Sequence, residues 1–515
     1  MKRIVWMVLA GACVLPCVAQ RVLTEQIAAR RMVVVFRQGL PADAAARVQR
    51  AGGRVTATME RFGMAAVEGD DAATAQMRLD PGVAAVLRDR IVQGHVALMT
   101  KTLVPLLTGD MPETITPVPV MVKPVGRTKV RAYFVPIAAS DAQYASGKGW
   151  AVQAAGGYGD NVPNGELSPA TGPWNVSLGA GVRIAVLDSG VDANHPDIAP
   201  NLALNMTEVN EAQMASPCDT GTPQDQQGHG TWVASLAAGA LGGGDVAGVA
   251  PQATLLNIKV MQRMPGTGAT TVAACENGEP SGLLSWVLQG INDAVTQHAD
   301  VAVLSLGTLV DLTTGDGAGW KAQFDAVTYA AAEAGTVIVA ATGNDGLDLS
   351  QGTLAELPAM SRGVLAVTAS TNAACAENLA QGATCKAGAV TMSYYANHGV
   401  SGEIAAPGGS YPEMTTGYVS GFVTGACSSG LTNTVDGMPA NGASFGCFGY
   451  GHQQYVQAMG TSASAALVAG AAAIVRAAHP GWSAAKIVTT LQQSATASSV
   501  MRVPELNLQA AILAD

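Results

Sequence analysis

The sequence predicts an α/β protein whose main domain is a doubly wound parallel sheet, preceded by a small α+β unit. From about residue 183 onward, short runs that are almost wholly apolar recur, as expected of parallel strands covered on both faces. Segments with helical patterns separate these runs, which is typical of a parallel α/β sheet. Polar residues follow where several runs end, and functional groups collect at the carboxyl ends of strands in such sheets.

The composition indicates a compact fold with a large core. Only 13% of the 515 residues are charged and 60 are glycine, which is typical of a well-buried, loop-rich chain with two or three domains. The net charge of −10 argues against non-specific binding to nucleic acid. Beyond the N-terminus we expect no segment long and apolar enough to span a membrane, and therefore no stable membrane anchor. We also expect a monomer.

Residues 1–19 have the pattern of a secretory signal peptide. Lys2-Arg3 gives a positive start, residues 4–18 are apolar, and Cys17-Val18-Ala19 offers small residues for cleavage. A membrane anchor is the alternative, although the segment is short for one and the polar Gln20-Arg21 follows. We therefore expect a secreted protein, with or without passage through a periplasm.

The cysteines suggest disulfides rather than a metal site. Removal of residues 1–19 leaves six of the eight cysteines, and an even number in an exported chain suggests three disulfides. Among the 15 pairings that six cysteines allow, we favour sequence neighbours. These are Cys218–Cys275, Cys375–Cys385 and Cys427–Cys447. No close Cys-Cys or Cys-His spacing predicts a metal site.

Residues 31–93 predict a small α+β unit, and a linker follows it. The predicted elements are strand 31–37, helix 41–50, one or two strands within 54–67, helix 70–79 and strand 83–92. Six prolines between Pro105 and Pro136 indicate an extended linker. We divide the chain into a signal peptide (1–19), an N-terminal unit (20–93), a linker with a processing site (94–147) and the main domain (148–515).

The main domain alternates strands with helices and ends with an unusual helix. The predicted strands are 183–187, 254–260, 301–304, 336–341 and 364–368, and the predicted helices are 232–241, 281–298, 324–334 and 464–478. The last helix is apolar on every face as far as Arg476, as in helices inside proteins. Ser462 lies at its N-terminus, beside unpaired N–H groups and a partial positive charge. Taken alone, such a serine is most often an N-cap.

Six short motifs occur in one order at the ends of these strands and helices. They are Asp188-Ser-Gly, Gly228-His-Gly-Thr, Ser305-Leu-Gly, Gly343-Asn-Asp-Gly, Ala405-Ala-Pro-Gly and Gly460-Thr-Ser. Together they resemble the subtilisin-like serine proteases over residues 148–515, and residues 20–93 resemble more loosely the inhibitory pro-domain of that family. The resemblance implies a subtilisin-like fold and a secreted serine endopeptidase made as a self-processing zymogen. It also implies no cofactor for the chemistry, and as partners extended protein or peptide substrates and the chain's own pro-domain, not nucleic acid.

The residue types fit this chemistry. A serine hydroxyl needs an adjacent base, so His229 would accept the proton of Ser462, and Asp188 would orient the imidazole and stabilise its charged form. Asn344 would donate to the oxyanion, with the Ser462 backbone N–H as a second donor. The resemblance implies that Ser305-Leu306-Gly307 pairs with the substrate backbone. It adds Ala341, Gly343 and Glu356 to the expected substrate-binding residues.

Two further hypotheses concern acidic residues. Leu357-Pro358-Ala359 resembles the wall of the family's primary specificity pocket, which puts Glu356 near its floor and predicts Lys or Arg before the scissile bond. Asp197 and the loop 242–248, with Asp245, resemble the region of a family calcium site, so a structural Ca²⁺ is a second hypothesis. In both cases, acids that simply face solvent are the alternative.

Two other functions are open at this point. One is a catalytically silent binding module on the same fold, against which the intact set of catalytic residues argues. The other is an α/β-hydrolase esterase, which would carry a Gly-x-Ser-x-Gly motif and the order Ser, acid, His. This chain has the order Asp, His, Ser. It departs from the family at Ala463, Ser464 and Ala466, where Met, Ala and Pro are usual, and none of these atoms is needed for proton transfer.

Overall fold

The N-terminal unit is a four-stranded antiparallel sheet covered by two helices. The computed structural model describes residues 28–94, 149–157, 172–209, 216–266, 270, 274–275, 278–372, 390–410, 422–430, 454–498 and 500–514. The expected signal peptide, nearly all of the linker, the Cys375–Cys385 pair and Cys447 lie outside these residues. The elements of the unit are β1 (Arg31–Phe36), α1 (Ala44–Arg50), β2 (Arg54–Met59), β3 (Met64–Glu68), α2 (Asp71–Leu79) and β4 (Val83–Arg88), with strand order β2-β3-β1-β4.

The sequence prediction of one strand over 83–92 is wrong in its length, because two strands share this segment. β4 ends at Arg88, and a separate strand, β5 (Ile91–Gly94), leaves the N-terminal sheet. The break occurs at Asp89, whose buried carboxylate accepts the backbone N–H of Ser285 at 3.1 Å and therefore turns toward the main domain. β5 lies between two strands of the main domain, β10 (Glu279–Leu283) and β12 (Leu306–Asp311), and is antiparallel to both.

The main domain contains the predicted doubly wound sheet. Its strands are β6 (Arg183–Asp188), β7 (Leu202–Thr207), β8 (Thr254–Lys259), β11 (Val301–Leu304), β13 (Val337–Ala341), β15 (Val364–Thr371), β16 (Thr391–Met392) and β17 (Ile404–Pro407). The order is β16-β15-β13-β11-β6-β8-β7, with β17 also paired to β15. All these pairs are parallel except β15 with β16.

Helices cover both faces of this sheet. They are α3 (Trp150–Ala154), α4 (His229–Ala238), α5 (Leu284–Thr296), α6 (Gly315–Glu333), α7 (Thr461–Ala478), α8 (Ala484–Ser494) and α9 (Leu508–Ile512). Alternate residues of β6 enter different cores, Ile184 and Val186 on the side of α4 and α7, and Ala185 and Leu187 on the side of α5 and α6. This two-sided burial explains why the strands read as unbroken apolar runs.

Two helix starts differ from the sequence prediction. α5 begins at Leu284 rather than Ser281, because Ser281 to Leu283 pair with β5 as a strand. α6 begins at Gly315 rather than Phe324, and the Thr314 side chain caps it by accepting the backbone N–H of Gly317 at 3.0 Å. Glycines 315, 317 and 319 lower the helix propensity of this first part, so sequence patterns miss it.

Smaller sheets and a disulfide complete the fold. The remaining strands are β9 (Met261–Met264), β14 (Leu354–Leu357), β18 (Val423–Ala426) and β19 (Tyr455–Ala458). β5 is the central strand of the sheet β14-β12-β5-β10-β9, and β18 pairs with β19. A Cys218–Cys275 disulfide is present, as favoured from the sequence. Cys427 is also disulfide-bonded.

Helix α7 is buried over almost its whole length in the main domain. Every residue from Thr461 to Val475 is buried, and the helix packs against α4 and the strands of the central sheet. By length and hydropathy α7 could cross a membrane, contrary to the expectation from sequence. Its burial within the main domain accounts for this composition instead.

The contact between α7 and α4 leaves no room at Gly470, which yields a first prediction. A Cβ at Gly470 would lie 2.6 Å from the carbonyl oxygen of Ala237 and 2.7 Å from Val249 Cβ. Alanine would gain about 1 kcal/mol of helix propensity, but overpacking costs about 1–3 kcal/mol and the Ala237 backbone cannot rotate away. We therefore expect Gly470→Ala to lower the urea midpoint of unfolding.

The matched control is Gly315→Ala in α6. A Cβ at Gly315 meets nothing within 4 Å, so this variant should unfold at the same urea concentration as the parent or a slightly higher one. An unchanged midpoint for Gly470→Ala would contradict the close packing of α4 against α7.

Candidate active site

Asp188 and His229 form a buried, hydrogen-bonded pair at the carboxyl edge of the central sheet. Asp188 is the last residue of β6 and His229 is the first residue of α4. The Nδ1 atom of His229 lies 2.6 Å from Asp188 Oδ1, and both side chains are fully buried. The backbone N–H of Ser189 also donates to Asp188 Oδ1 at 2.7 Å. The carboxylate can therefore hold one tautomer of the imidazole.

Ser462 completes a line of three side chains. It is the second residue of α7, and its Oγ lies 3.0 Å from the Nε2 atom of His229. Ser305 and Ser462 also contact each other through two hydrogen bonds, Ser305 Oγ to Ser462 O at 3.0 Å and Ser462 Oγ to Ser305 O at 3.2 Å. These bonds fix the beginning of α7 against the end of β11. An imidazole at this distance can accept the hydroxyl proton.

The side chain of Asn344 is oriented with its amide nitrogen available. Its Oδ1 accepts two bonds from Thr461, from the backbone N–H at 3.0 Å and from Oγ1 at 2.9 Å. Its Nδ2 is buried and has no hydrogen-bond partner in the part of the chain that the structure describes. A buried donor without a partner is costly, so such a group in a native structure points to a ligand or a reacting atom.

The loop that carries Asn344 is held by a residue that the sequence analysis missed. Asn397 is fully buried, and its Oδ1 accepts the backbone N–H groups of Asp345 and Leu347 at 3.0 and 2.9 Å. Its Nδ2 donates to Asp345 Oδ2 at 3.1 Å, and its backbone N–H donates to the carbonyl of Gly343. Asn397 thus contacts the loop on both sides of Asn344. Its position in the sequence gives no signal of this, because the contacts span about fifty residues.

A second missed residue, Asp225, organises the loop before His229. Its Oδ1 accepts from Ser189 Oγ and from the backbone of residues 227 and 228, and its Oδ2 accepts from the backbone and hydroxyl of Thr231. Burial raises the pKa of Asp225, and these hydrogen bonds oppose that rise. The carboxylate links the Asp188 strand end to the first turn of α4.

The chain's own strand β5 lies in the groove beside these residues. Gln93 pairs with Gly307 and Gly94 with Leu306, while on the other side Gln93 pairs with Ser281 of β10. The predicted substrate-contacting segment Ser305-Leu306-Gly307 is therefore placed along an extended peptide. β5 ends close to the imidazole, since a Cβ at Gly94 would lie 3.4 Å from His229 Cε1 and Nδ1. The groove can hold a peptide by strand addition.

The other predicted substrate-binding residues lie around the same edge. Ala341 ends β13, and Gly343 is the residue before Asn344. Glu356 is 1% exposed and lies in β14, paired with Leu309 of β12. The structure thus does not support the alternative that Glu356 faces solvent.

Glu279, which sequence reasoning did not single out, lies at the start of β10. Burial raises its pKa from 4.5 to about 7, and the nearby His229 and Arg263 oppose this rise. A carboxylate in this position adds negative potential near the imidazole when it ionises. The sequence pattern gives no signal for it, because its place at the groove follows from the pairing of β10 with β5.

The predicted calcium region brings Asp197 close to the expected loop. Asp197 is fully buried, and a Cβ on Gly244 would collide with its carboxylate, so the loop 242–248 passes directly over it. The backbone N–H of Asp245 donates to the Tyr455 hydroxyl at 2.8 Å. Within the described ranges, no three His, Cys, Asp or Glu side chains are grouped to hold a metal ion. A calcium ion here would need mostly backbone oxygens.

Comparison with known proteins places this geometry in a family. Residues 179–508 match the model of the subtilase family. The intracellular serine protease of Paenibacillus polymyxa is 36% identical over 151 residues, which cover 29% of this chain and 40% of that protein. Subtilisin E of Bacillus subtilis (strain 168) is 28% identical over 346 residues, which cover 66% of this chain and 67% of that protein. The chain therefore spans less than two thirds of the first of these relatives.

Solved structures agree on the fold. The epidermin leader peptide processing serine protease EpiP from Staphylococcus aureus has a TM-score of 0.58 at 18% identity, with 94% of this chain and 97% of that chain covered. Fervidolysin from Fervidobacterium pennivorans, described as a keratinolytic enzyme related to subtilisin, has a TM-score of 0.57 at 18% identity, with 94% and 61% covered. At these identities the likeness supports the α/β fold and nothing finer.

The raised pKa of Glu279 predicts a pH-dependent stability. Because the folded state binds this proton more tightly, the stabilisation is fully present below about pH 4.5 and is lost as the pH rises through about 7. We expect the free energy of unfolding of the full chain, kept intact by Ser462→Ala, to fall over this window. The share of Glu279 is at most about 3 kcal/mol.

Glu279→Gln should remove this share, so its unfolding free energy should depend less on pH between 5 and 8. Burial also raises the pKa of Glu403 and Glu505 to about 7, so part of the dependence should remain. Urea unfolding at four pH values measures the difference. Identical pH profiles for the two proteins would refute the assignment.

Proposed function

Since the chain belongs to the subtilase family of serine endopeptidases, we propose that it hydrolyses peptide bonds in extended protein segments through Asp188, His229 and Ser462. The observation that carries this proposal is the continuous line of side chains from Asp188 to Ser462, with contacts of 2.6 and 3.0 Å. Asn344 supports it further, because Thr461 at the start of α7 binds its Oδ1 atom while its amide nitrogen is buried without a partner among the described residues.

The proposed reaction has two halves. Ser462 Oγ attacks the peptide carbonyl carbon while its proton passes to His229 Nε2, and the charged imidazole is stabilised by Asp188. The carbon–nitrogen bond then breaks, the same proton goes to the leaving amine, and the acyl group stays on Ser462. In the second half a water molecule gives one proton to His229 while its oxygen attacks the acyl carbon. The bond from that carbon to Ser462 Oγ then breaks and His229 returns the proton to Oγ, which releases the carboxylic acid and restores the serine.

The developing oxyanion would be bound by the Asn344 amide and the Ser462 backbone N–H. Both donors are preorganised. Thr461 binds the Asn344 side chain, and the Ser462 N–H belongs to the first turn of α7, which begins at Thr461. Such donors stabilise a transition state more than the ground state, and the loss of one costs about 2.7–4 kcal/mol. Catalysis in this family needs no cofactor.

We further propose that the N-terminal unit is an inhibitory pro-domain and that the enzyme cleaves its own linker. β5 occupies the groove as a substrate would, with Gly94 paired to Leu306. In a substrate bound with this antiparallel register, the residue after the one paired with Leu306 would be opposite Ser305, whose carbonyl accepts from Ser462 Oγ at 3.2 Å. The register therefore supports cleavage of the bond between His95 and Val96.

Export is the third part of the proposal. The pattern of residues 1–19 supports secretion, and the Cys218–Cys275 disulfide is consistent with folding in an oxidising compartment. In this reading the chain loses its signal peptide first and its pro-domain afterwards.

A mass measurement tests the nucleophile and self-processing together. We expect the wild-type chain to shorten to a product that begins at Val96 and to digest casein, whereas Ser462→Ala should do neither. If both proteins shorten but only the wild type digests casein, another protease performs maturation. If the folded, processed wild type leaves casein intact, the silent binding module replaces the peptidase.

A second experiment tests whether Asn397 acts through Asn344. Asn397→Ala should release the oxyanion loop and lower kcat about 10–100-fold with little change in KM, because small displacements of catalytic groups are costly. In an Asn344→Ala background the same change should lower kcat by less than about threefold, since the positioned donor is already gone. The variants are matured in trans by wild-type enzyme.

Equal losses in both backgrounds would mean that Asn397 acts only on general structure. Thermal unfolding of each variant serves as the control, because a loss of folded protein would lower kcat in both backgrounds alike.

The buried Glu356 supports the proposed preference for Lys or Arg before the scissile bond. A carboxylate at a pocket floor must be neutralised or hydrated, and a substrate cation does the former. A peptide library should therefore show cleavage after Lys and Arg, and Glu356→Gln should reduce that preference at least tenfold. A wild-type profile dominated by Phe or Leu would exclude a pocket that prefers Lys or Arg.

A structural calcium ion near Asp197 and Asp245 remains a proposal. Its support is the burial of the Asp197 carboxylate under the loop 242–248. Since most ligands would be backbone oxygens, the ion would stabilise the loop without entering the chemistry.

A further inference from the structure

We propose that the groove selects glycine at the second residue before the scissile bond, the position that Gly94 occupies in β5. This inference rests on the proposed peptidase function and adds a substrate rule to it. The rule follows from the space around Gly94, which is limited by a proline on one side and by the catalytic imidazole on the other.

The walls of this position are within contact distance of any added side chain. A Cβ at Gly94 would lie 2.8 Å from Pro280 Cγ and 3.4 Å from both Cε1 and Nδ1 of His229. The first distance is shorter than two carbon atoms tolerate without a shift, and the second is already van der Waals contact, so the imidazole leaves no space for atoms beyond Cβ on that side. An alanine would need Pro280 to move by a few tenths of an ångström, and a branched side chain would need much more.

Neither wall can move easily. Pro280 Cγ belongs to a ring closed on the backbone, so it shifts only by ring pucker. Its strand is fixed on both sides, because Pro280 pairs with Arg263 of β9 and the adjoining Ser281 pairs with Gln93 of β5. The His229 ring is held by Asp188 at 2.6 Å, and its displacement would also break its contact with Ser462. A bulky side chain would therefore impair binding and catalysis together.

The neighbouring positions of β5 are not restricted in this way. Gln93 is exposed and points away from the wall, as alternation along a strand requires. Val92 is fully buried against apolar residues of the main domain, so that position favours an apolar side chain. The groove therefore distinguishes side chains at alternate positions, and it is narrowest beside His229.

The rule identifies bonds in the chain's own linker. Residues 94–148 contain four glycines; two of them precede Arg or Lys, in Gly126-Arg127 and Gly147-Lys148, and Gly94 precedes His95. Combined with the proposed preference for Lys or Arg before the scissile bond, the rule predicts products that begin at Thr128 and Gly149, and the register of β5 adds the product that begins at Val96. The fourth glycine precedes Asp110 and should not direct cleavage. The last product would begin immediately before α3.

Peptides test the rule directly. The probes have the sequence Ile-Val-Gln-Xaa-His-Val, with Gly, Ala or Val as Xaa, and the measured quantity is kcat/KM. Misfit in a closed pocket typically costs about 10- to 200-fold, so we expect the Gly peptide to exceed the Val peptide at least tenfold, with Ala between them. Replacement of the Gln by Ala or Val is the control and should change kcat/KM less than about threefold.

Pro280→Ala tests the wall itself. Removal of Cγ should raise the ratio of kcat/KM for the Val peptide to that for the Gly peptide at least fivefold, whatever the absolute activity of the variant. In the full chain, Gly147→Val should abolish the product that begins at Gly149, while the adjacent Ser146→Val should leave it. The masses of the products report both results.

The outcomes separate this inference from the proposed function. If the wild type cleaves the Gly and Val peptides within threefold of each other, or if Pro280→Ala leaves the ratio unchanged, the glycine rule is wrong and the peptidase stands. If no peptide and no casein is cleaved by folded, processed enzyme, the proposed function fails and the rule fails with it.

Discussion

The geometry of the site depends on one constraint: a helix buried on every side must begin where the parallel strands end. Because α7 presents no polar face to solvent, it is held by packing all around and cannot slide along its axis without opening cavities. Its first turn is then fixed to the sheet by the paired hydrogen bonds between Ser305 and Ser462. Ser462, the proposed nucleophile, thereby acquires a defined position from the core of the domain and not from a surface loop.

The groups around Ser462 are positioned by two buried polar side chains. Asp225 gathers donors from the end of β6 and the start of α4, and Asn397 gathers them from both sides of Asn344. Burial makes each such network rigid when its bonds are satisfied and costly when one is lost. Loops so restrained keep the imidazole and the amide at fixed distances from Ser462, which electrostatic preorganisation requires. Asn344 Nδ2 is a buried donor without a partner among the described residues. It lies where the proposed reaction would develop the negative charge of the oxyanion.

The sequence predicted those parts of the fold that local patterns encode. The central strands were predicted because burial on both faces makes them apolar runs, and the residues at their carboxyl ends converge through topology alone. The start of α6 was missed because its glycines weaken the local helix signal, although Thr314 caps it. The separation of β5 from β4 depends on Asp89 and its contact with Ser285, almost two hundred residues away. Asn397 was missed for the same reason, since its role exists only in three dimensions.

If the chain is processed as proposed, strand addition by β5 also limits how the groove becomes free. Cleavage of the proposed bond after His95 would break one peptide bond, but the main-chain pairing of β5 with β10 and β12 would persist. The N-terminal unit is anchored elsewhere too, through Arg90 to Asp316 at 2.9 Å and through the Trp320 indole to the carbonyl of Arg88 at 2.8 Å. A product held by several sites rebinds at a high effective concentration as long as the unit stays folded. In the proposed processing, release would require that the small unit unfold or be cut within itself, and the stability of its four-stranded sheet would set the time at which the groove opens to other substrates.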